Sequence, residues 1–309
     1  MPFAQGARSG LSLIPETVNG TTPATGNMLR IPFVSNTLGL TKEEIQSQAL
    51  MPDRMMRNSR HGNRQVGGDI AVELGPVDFD PLLESAFMST FTANVLKIGT
   101  TLRTLSIEDD PQDIAVARMF RGVAVNTMTM TVAPNQMVGT TFNVVGQDVA
   151  VTTVSSKPTK TNAAGHAPFD SCSGAISIGN AGGTLTPIAA ITSIELSINN
   201  DITPAFVVGS CAAAGTEFGM ATVTGTISAY FEDLTIYNRF LNETETALSF
   251  TLNNAANNRP YTFLLPRVKF NSGDIPVSGP KSRIMSIGFT AIYDTATNTS
   301  LQVTRVVPA

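Results

Sequence analysis

The chain is divided into short runs in which apolar and polar residues alternate with a period of two, the spacing of strands that bury one face. Val123 to Val132 puts Val125, Thr127, Thr129 and Thr131 on one phase, with Ala124, Asn126, Met128 and Met130 on the other. Gln65 to Leu74 gathers Val66, Ile70, Val72 and Leu74 on one side. The same reading predicts strands over 29–34, 102–107, 140–145, 194–198, 222–231, 247–252, 261–270, 284–293 and 301–307. A turn at Pro134 and Asn135 makes 123–132 and 140–145 a hairpin. Many short strands between turn signals specify a mainly β chain, a sandwich or barrel. Helical spacing is confined to short flanking stretches. Asp80 to Phe91 has Asp80 as cap and Pro81 in the first turn, and Asp233 to Leu241 has Leu234, Tyr237 and Phe240 on one face. Thr41 to Gln46 reads as a brief capped helix, and Ile114 to Phe120 as a helical turn closed by Gly122.

Composition removes several alternatives. Charged residues are 14% of the 309, against about 25% in a typical globular protein, while 42% are hydrophobic. Disorder needs the opposite balance. A net charge of −4 gives no overall attraction for nucleic acid. The longest weakly polar stretch, around Val207 to Gly215, is too short to span a membrane, and Met1 to Gly6 lacks the pattern of a signal peptide. The expectation is synthesis in a cytoplasm, with no membrane partner. Cys172 and Cys211 show no CxxC spacing and read as two reduced, partly buried thiols.

Residues 1–27, rich in Gly, Thr, Pro and Asn, read as an irregular arm, and 151–187, rich in Thr, Ser, Ala and Gly, as an insert or linker. Between and after them the order of elements repeats. VGGDI at Val66–Ile70 precedes one helix, and VTGTI at Val223–Ile227 precedes the other. Strand, long loop, strand, helix, strand and hairpin occur in the same order each time. Two similar half-domains are therefore expected at 28–150 and 188–309, the first carrying a long loop or arm at 41–64.

No catalytic constellation emerges. His61 and His166 lie in polar sequence without a partner at metal-ligand spacing, and no nucleophile elbow, phosphate loop or dinucleotide fingerprint is present. The acidic run from Glu108 to Asp113 suits a calcium site or, better, caps for the turn at 111–120. Arg54, Arg57, Arg60 and Arg64, interspersed with Met51, Met55 and Met56, suit a contact with a neighbouring subunit more than phosphate binding, since no aromatic residues interleave to stack on bases. No catalytic residue, metal or cofactor is expected.

The ordered set of segments LRIPF (29–33), QVGGDIAVEL (65–74), DPLLESAF (80–87), SIE (106–108), GVAVNTM (122–128), IELSINN (194–200), TGTISAYF (224–231) and LPRVKF (265–270) resembles the major tail tube protein of long-tailed phages with non-contractile tails. The resemblance covers 28–309 apart from 151–187. It implies a tail-tube β-sandwich or barrel with flanking helices, whose inward strands join those of neighbours into a continuous ring. The rings stack around a lumen that conducts double-stranded DNA without sequence-specific binding. A chain with two tube domains would form this ring as a homotrimer with pseudo-six-fold symmetry. Tape measure, tail terminator and distal tail proteins are the implied partners, and the virion tail, assembled in the bacterial cytoplasm, the implied location. Asp69, Glu73, Glu232 and Asp233 are the candidates for the lumen; Arg54, Met55, Arg57, Arg60 and Arg64 are those for contacts between rings. The competing readings are another virion β-protein, such as a capsid decoration or fibre module, and a β-sandwich carbohydrate hydrolase. The second is disfavoured by the absence of Trp and the presence of only four Tyr.

Overall fold

A computed structural model describes residues 3–165, 167–254, 259–277 and 279–307; His166 lies outside them. Among the described residues the chain is mainly β, with two short α-helices, α1 (Asp80–Phe87) and α2 (Thr235–Leu241). One sheet runs β11 (Lys160–Asn162), β2 (Met28–Ile31), β1 (Ser9–Pro15), β7 (Leu105–Pro111), β8 (Ala117–Val132) and β10 (Asp148–Thr152). Only the first turns of β8 belong to it. Gly122, at φ +62°, bends the strand, and from Ala124 onward β8 pairs in a larger sheet. There β4 (Gly39–Gln46) and β3 (Ser35–Asn36) flank β5 (Ser59–Glu73). β5 is followed by β9 (Gly139–Gly146), β8, β14 (Ile191–Asn199), β17 (Thr222–Tyr230) and β20 (Ile284–Ala291), all antiparallel.

β20 meets the last three residues of β19 (Tyr261–Phe270), whose first half pairs instead with β21 (Gln302–Arg305) and so with β6 (Val95–Lys97). Along its other edge β19 pairs with β18 (Thr246–Asn253), then β12 (Asp170–Asn180) and β13 (Thr186–Pro187). A separate ribbon joins β15 (Thr203–Ala205) to β16 (Gly215–Glu217). One large hydrophobic core runs between the layers with two small clusters beside it, and among the described residues the sheet does not close into a barrel.

The pairings occur twice in the same pattern. β1 contacts β2 and β7, as β12 contacts β13 and β18. β8 takes β7 and β10 at its start and β9 further on; β19 takes β18, β21 and β20 in the same way. β5 lies between β4 and β9, as β17 lies between β14 and β20. The two sets begin at β1 and β12, inside the stretches expected to be an irregular arm and a linker. Leu11 and Leu13 of β1 are fully buried, so composition alone misjudged that segment.

Other local expectations are overturned for related reasons. Thr41 to Gln46 is strand, because Leu40 and Thr41 pair with Val66 and Gln65, and a ladder outweighs a weak capping signal. Ala117 to Phe120 is strand, where Arg118 pairs with Asp109 of β7. The acidic run is therefore neither a cap nor a calcium site: Glu108 is fully buried against Lys160 Nζ at 2.6 Å, and Asp110 binds Lys160 and Arg30. Cys172 and Cys211 are both free and exposed.

Asp80 does not cap α1 through its side chain. It accepts a hydrogen bond from the Tyr261 hydroxyl at 2.7 Å and pairs with Arg305, whose guanidinium lies 3.9 Å from the Phe91 ring centre. Burial raises the Asp80 pKa to about 6, outweighing the Tyr261 hydrogen bond and the Arg305 charge. Between about pH 4, the unfolded value, and pH 6 the native state then holds more protons than the unfolded one, so stability falls as pH rises through that window. Denaturant titrations at pH 4 and 7 are expected to show a loss of about 2–3 kcal/mol from this group. Asp80→Asn should flatten that slope; an unchanged slope contradicts the assignment.

Gly225 in β17 illustrates how tightly the core is fitted. A Cβ there would strike the Glu195 carbonyl and the ring of Phe289, which lies across the glycine. Gly225→Ala is expected to cost about 1–3 kcal/mol in chemical denaturation, whereas Gly139→Ala, with open space around it, should cost less.

Candidate functional site

Six consecutive strands, β5, β9, β8, β14, β17 and β20, bury one face and leave the other to solvent. Ile70, Phe142, Met128, Ile198 and Val223 stand in register on the buried side. The opposite phase is polar across the whole width. One row reads Ala71, Thr141, Thr129, Ser197, Thr224 and Thr290. The next reads Glu73, Gly139, Thr131, Glu195, Thr226 and Gly288, and another reads Asp69, Asn143, Thr127, Asn199 and Thr222. These positions are exposed or half-exposed, and hydroxyls facing one another across strands support the pairing. They carry three carboxylates, Asp69, Glu73 and Glu195, and no lysine or arginine. Asp69 accepts from the Asn143 amide at 2.7 Å.

Of the sequence candidates, Asp69 and Glu73 lie on this face. Glu232 and Asp233 lie beyond the end of β17, where Asp233 Oδ1 accepts from the Thr235 amide at the start of α2. Glu195 was missed, although the alternation of Ile194, Leu196 and Ile198 with Glu195, Ser197 and Asn199 marks it as outward-facing.

The stretch 41–64, expected as a long loop or arm, forms the tip and shaft of the hairpin β4–β5, which runs past the end of the sheet. Ser47 N donates to Asn58 O, and a turn from Met51 to Arg54 crosses the tip, with Arg54 at φ 62°. Arg57 pairs with Asp53, and Arg64 with Asp148 at 3.4 Å; Arg54 and Arg60 have no ion partner among the described residues. Ile45, Leu50, Met51, Met55 and Met56 are exposed, Leu50 at 96%. Such a cluster of apolar side chains in water marks a contact surface. Register puts the tip beyond the end of the sheet where Val66 faces Gly146, the end from which β5 enters it.

Residues 6–291 match the family model described as Phage tail tube protein. The chain belongs to the phage tail tube protein family. This family is structural and non-enzymatic, and its members reside in the virion tail. No curated protein matches the chain. The polar face and the projecting hairpin are both left exposed in a single copy, as are Val207, Val208, Phe218 and Met220 around the β15–β16 ribbon. Among the described residues no helix is long and apolar enough to cross a membrane, and no group of three or more His, Cys, Asp or Glu is placed to hold a metal.

Proposed function

We propose that three copies of this chain form a ring, that the rings stack into the tail tube, and that the polar sheet face lines a bore through which double-stranded DNA leaves for the host. The observation that carries this reading is the solvent face of β5, β9, β8, β14, β17 and β20, broad, hydroxyl-rich and acidic. Duplex DNA carries about one negative charge per 1.7 Å of axis, so a basic lining would hold it and an acidic one lets it slide. Antiparallel strands on both sides of an open sheet leave edges that a closed ring satisfies.

Size favours three copies. With β4 and the stretch that continues β19 alongside β20 included, each chain contributes eight neighbouring strands. About 24 strands spaced about 4.8 Å apart and tilted about 40° make a barrel about 50 Å across the backbone. Side chains about 5 Å deep leave a bore about 40 Å wide. Six copies would leave about 85 Å by the same geometry, far more than a duplex needs. The doubled pairing pattern supports two tube half-domains, at 28–150 and 188–309, each reinforced by the strands that precede it. The hairpin bearing Arg54, Met55, Arg57, Arg60 and Arg64 is the contact between rings. Tape measure, terminator and distal tail proteins meet the tube inside and at its ends.

The purified chain, concentrated and imaged in negative stain, is expected to show rings and hollow tubes with three subunits per turn. Monomers that add singly to a preformed capsid lattice would instead favour a decoration protein.

A further inference from the structure

Some contacts have no counterpart in the doubled pattern, and one of them joins the two sets within the main sheet: β8 of the first pairs with β14 of the second, a junction not repeated among the described residues. We propose that its counterpart forms between copies, with Asn271–Ile275, the continuation of β19, pairing antiparallel with residues 38–42 of the next chain. The proposal rests on the ring reading above and adds to it the edge and the register.

The register follows from the equivalences. Thr129 faces Thr141 in the first set, and Asp274 bridges to Ser286 in the second, so Asp274 takes the place of Thr129. Gly67 faces Gly39 as Thr224 faces Ser197, so Gly39 takes the place of Ser197. Within the chain Thr129 stands directly opposite Ser197. Across copies Asp274 therefore stands opposite Gly39, and by the same one-to-one offset Ile275 meets Leu38.

Both edges are open as such pairing requires. β4 has no strand on the side away from β5 among the described residues. The amides of Ser272 and Gly273 have no partner among the described residues, although Asn271 and Asp274 already hydrogen-bond to β20 on the other side. Unpaired backbone beside a formed ladder is a template for another strand. Asp274 is exposed and takes the place of a residue on the polar face, so the junction would continue that face, adding a carboxylate beside Lys269, which stands opposite Thr290 and pairs with Glu243.

Cysteines at Gly39 and Asp274 test this in a chain carrying Cys172→Ser and Cys211→Ser. A Cβ at Gly39 meets nothing closer than 3.6 Å, so the change is tolerated. Oxidation of assembled Gly39→Cys/Asp274→Cys is expected to give a covalent trimer, at least about tenfold more than the offset pair Thr41→Cys/Asp274→Cys, whose diagonal spacing is too wide for a disulfide. In tubes of the unmodified chain, the Ser272 and Gly273 amides should exchange at least about a hundredfold more slowly than in the monomer. Tubes that form without the cross-link and without that protection overturn the junction alone, as does an offset pair that links equally well. A chain that never assembles overturns the ring and the junction with it.

Discussion

Reversing the charge of the polar face, with Asp69, Glu73 and Glu195 all replaced by lysine, is expected to leave tubes that assemble but hold on to DNA. All three side chains project from strands whose opposite phase makes the core, so the change alters no buried contact; it removes the exposed hydrogen bond from Asn143 to Asp69. Each chain gains six units of positive charge on one surface, and a ring of three presents nine lysines to the bore. Neutralising six to ten phosphates makes affinity fall about 10³–10⁵-fold between 50 and 200 mM salt. The lysine tubes should therefore retain duplex DNA at 50 mM salt and release it at higher salt, while unmodified tubes retain none at either. Phage carrying the variant should package genomes yet lose infectivity, because each genome has to leave through a bore that now binds it. Equal DNA release by both tubes would place the face somewhere other than the bore.

Removing the hairpin tip is expected to separate ring formation from stacking. Replacing 47–58 by Asn-Gly keeps the shaft, because a two-residue turn suits an antiparallel pair and Gln46 already faces Ser59 across it. The excised segment holds Leu50, Met51, Met55 and Met56, all exposed, together with Arg54 and Arg57. Nothing in the core touches it, so thermal unfolding of the dissociated chain should stay close to that of the unmodified protein. Sedimentation should then show rings at concentrations where the intact chain forms long tubes, and a ring contact that buries four such side chains predicts at least a hundredfold rise in the concentration needed for stacking. Tubes of normal length from the shortened chain would assign the ring contact to another surface.

Much of the fold was legible in period-two alternation. Tyr261 to Phe270 was read with its observed limits, and Thr222 to Phe231 and Ala247 to Leu252 within a residue or so, because each buries one phase against the core. The misread segments lack that contrast or carry a competing local signal. β1 is buried on both phases from Gly10 to Ile14, so burial does not alternate along it, and β12 is mostly exposed or half-exposed and rich in Ser and Gly. Thr41 to Gln46 carries a capping pattern, but its state is set by β5, a partner about twenty residues away. The polar face was half legible. Single strands disclosed that Asp69 and Glu73 point outward, but only the register shows Glu73 in the same row as Glu195, three strands away across the sheet. Glu232 and Asp233 looked equivalent because an acidic pair after a strand does not reveal where the strand ends.

A reconstruction of the assembled particle at a resolution that traces strands tests the central claim most directly. It should show three chains per ring, one unbroken antiparallel sheet around the bore, and Asp69, Glu73 and Glu195 projecting into it. A particle with that face buried against another layer or turned to the outside, or with no channel along its axis, would contradict the account.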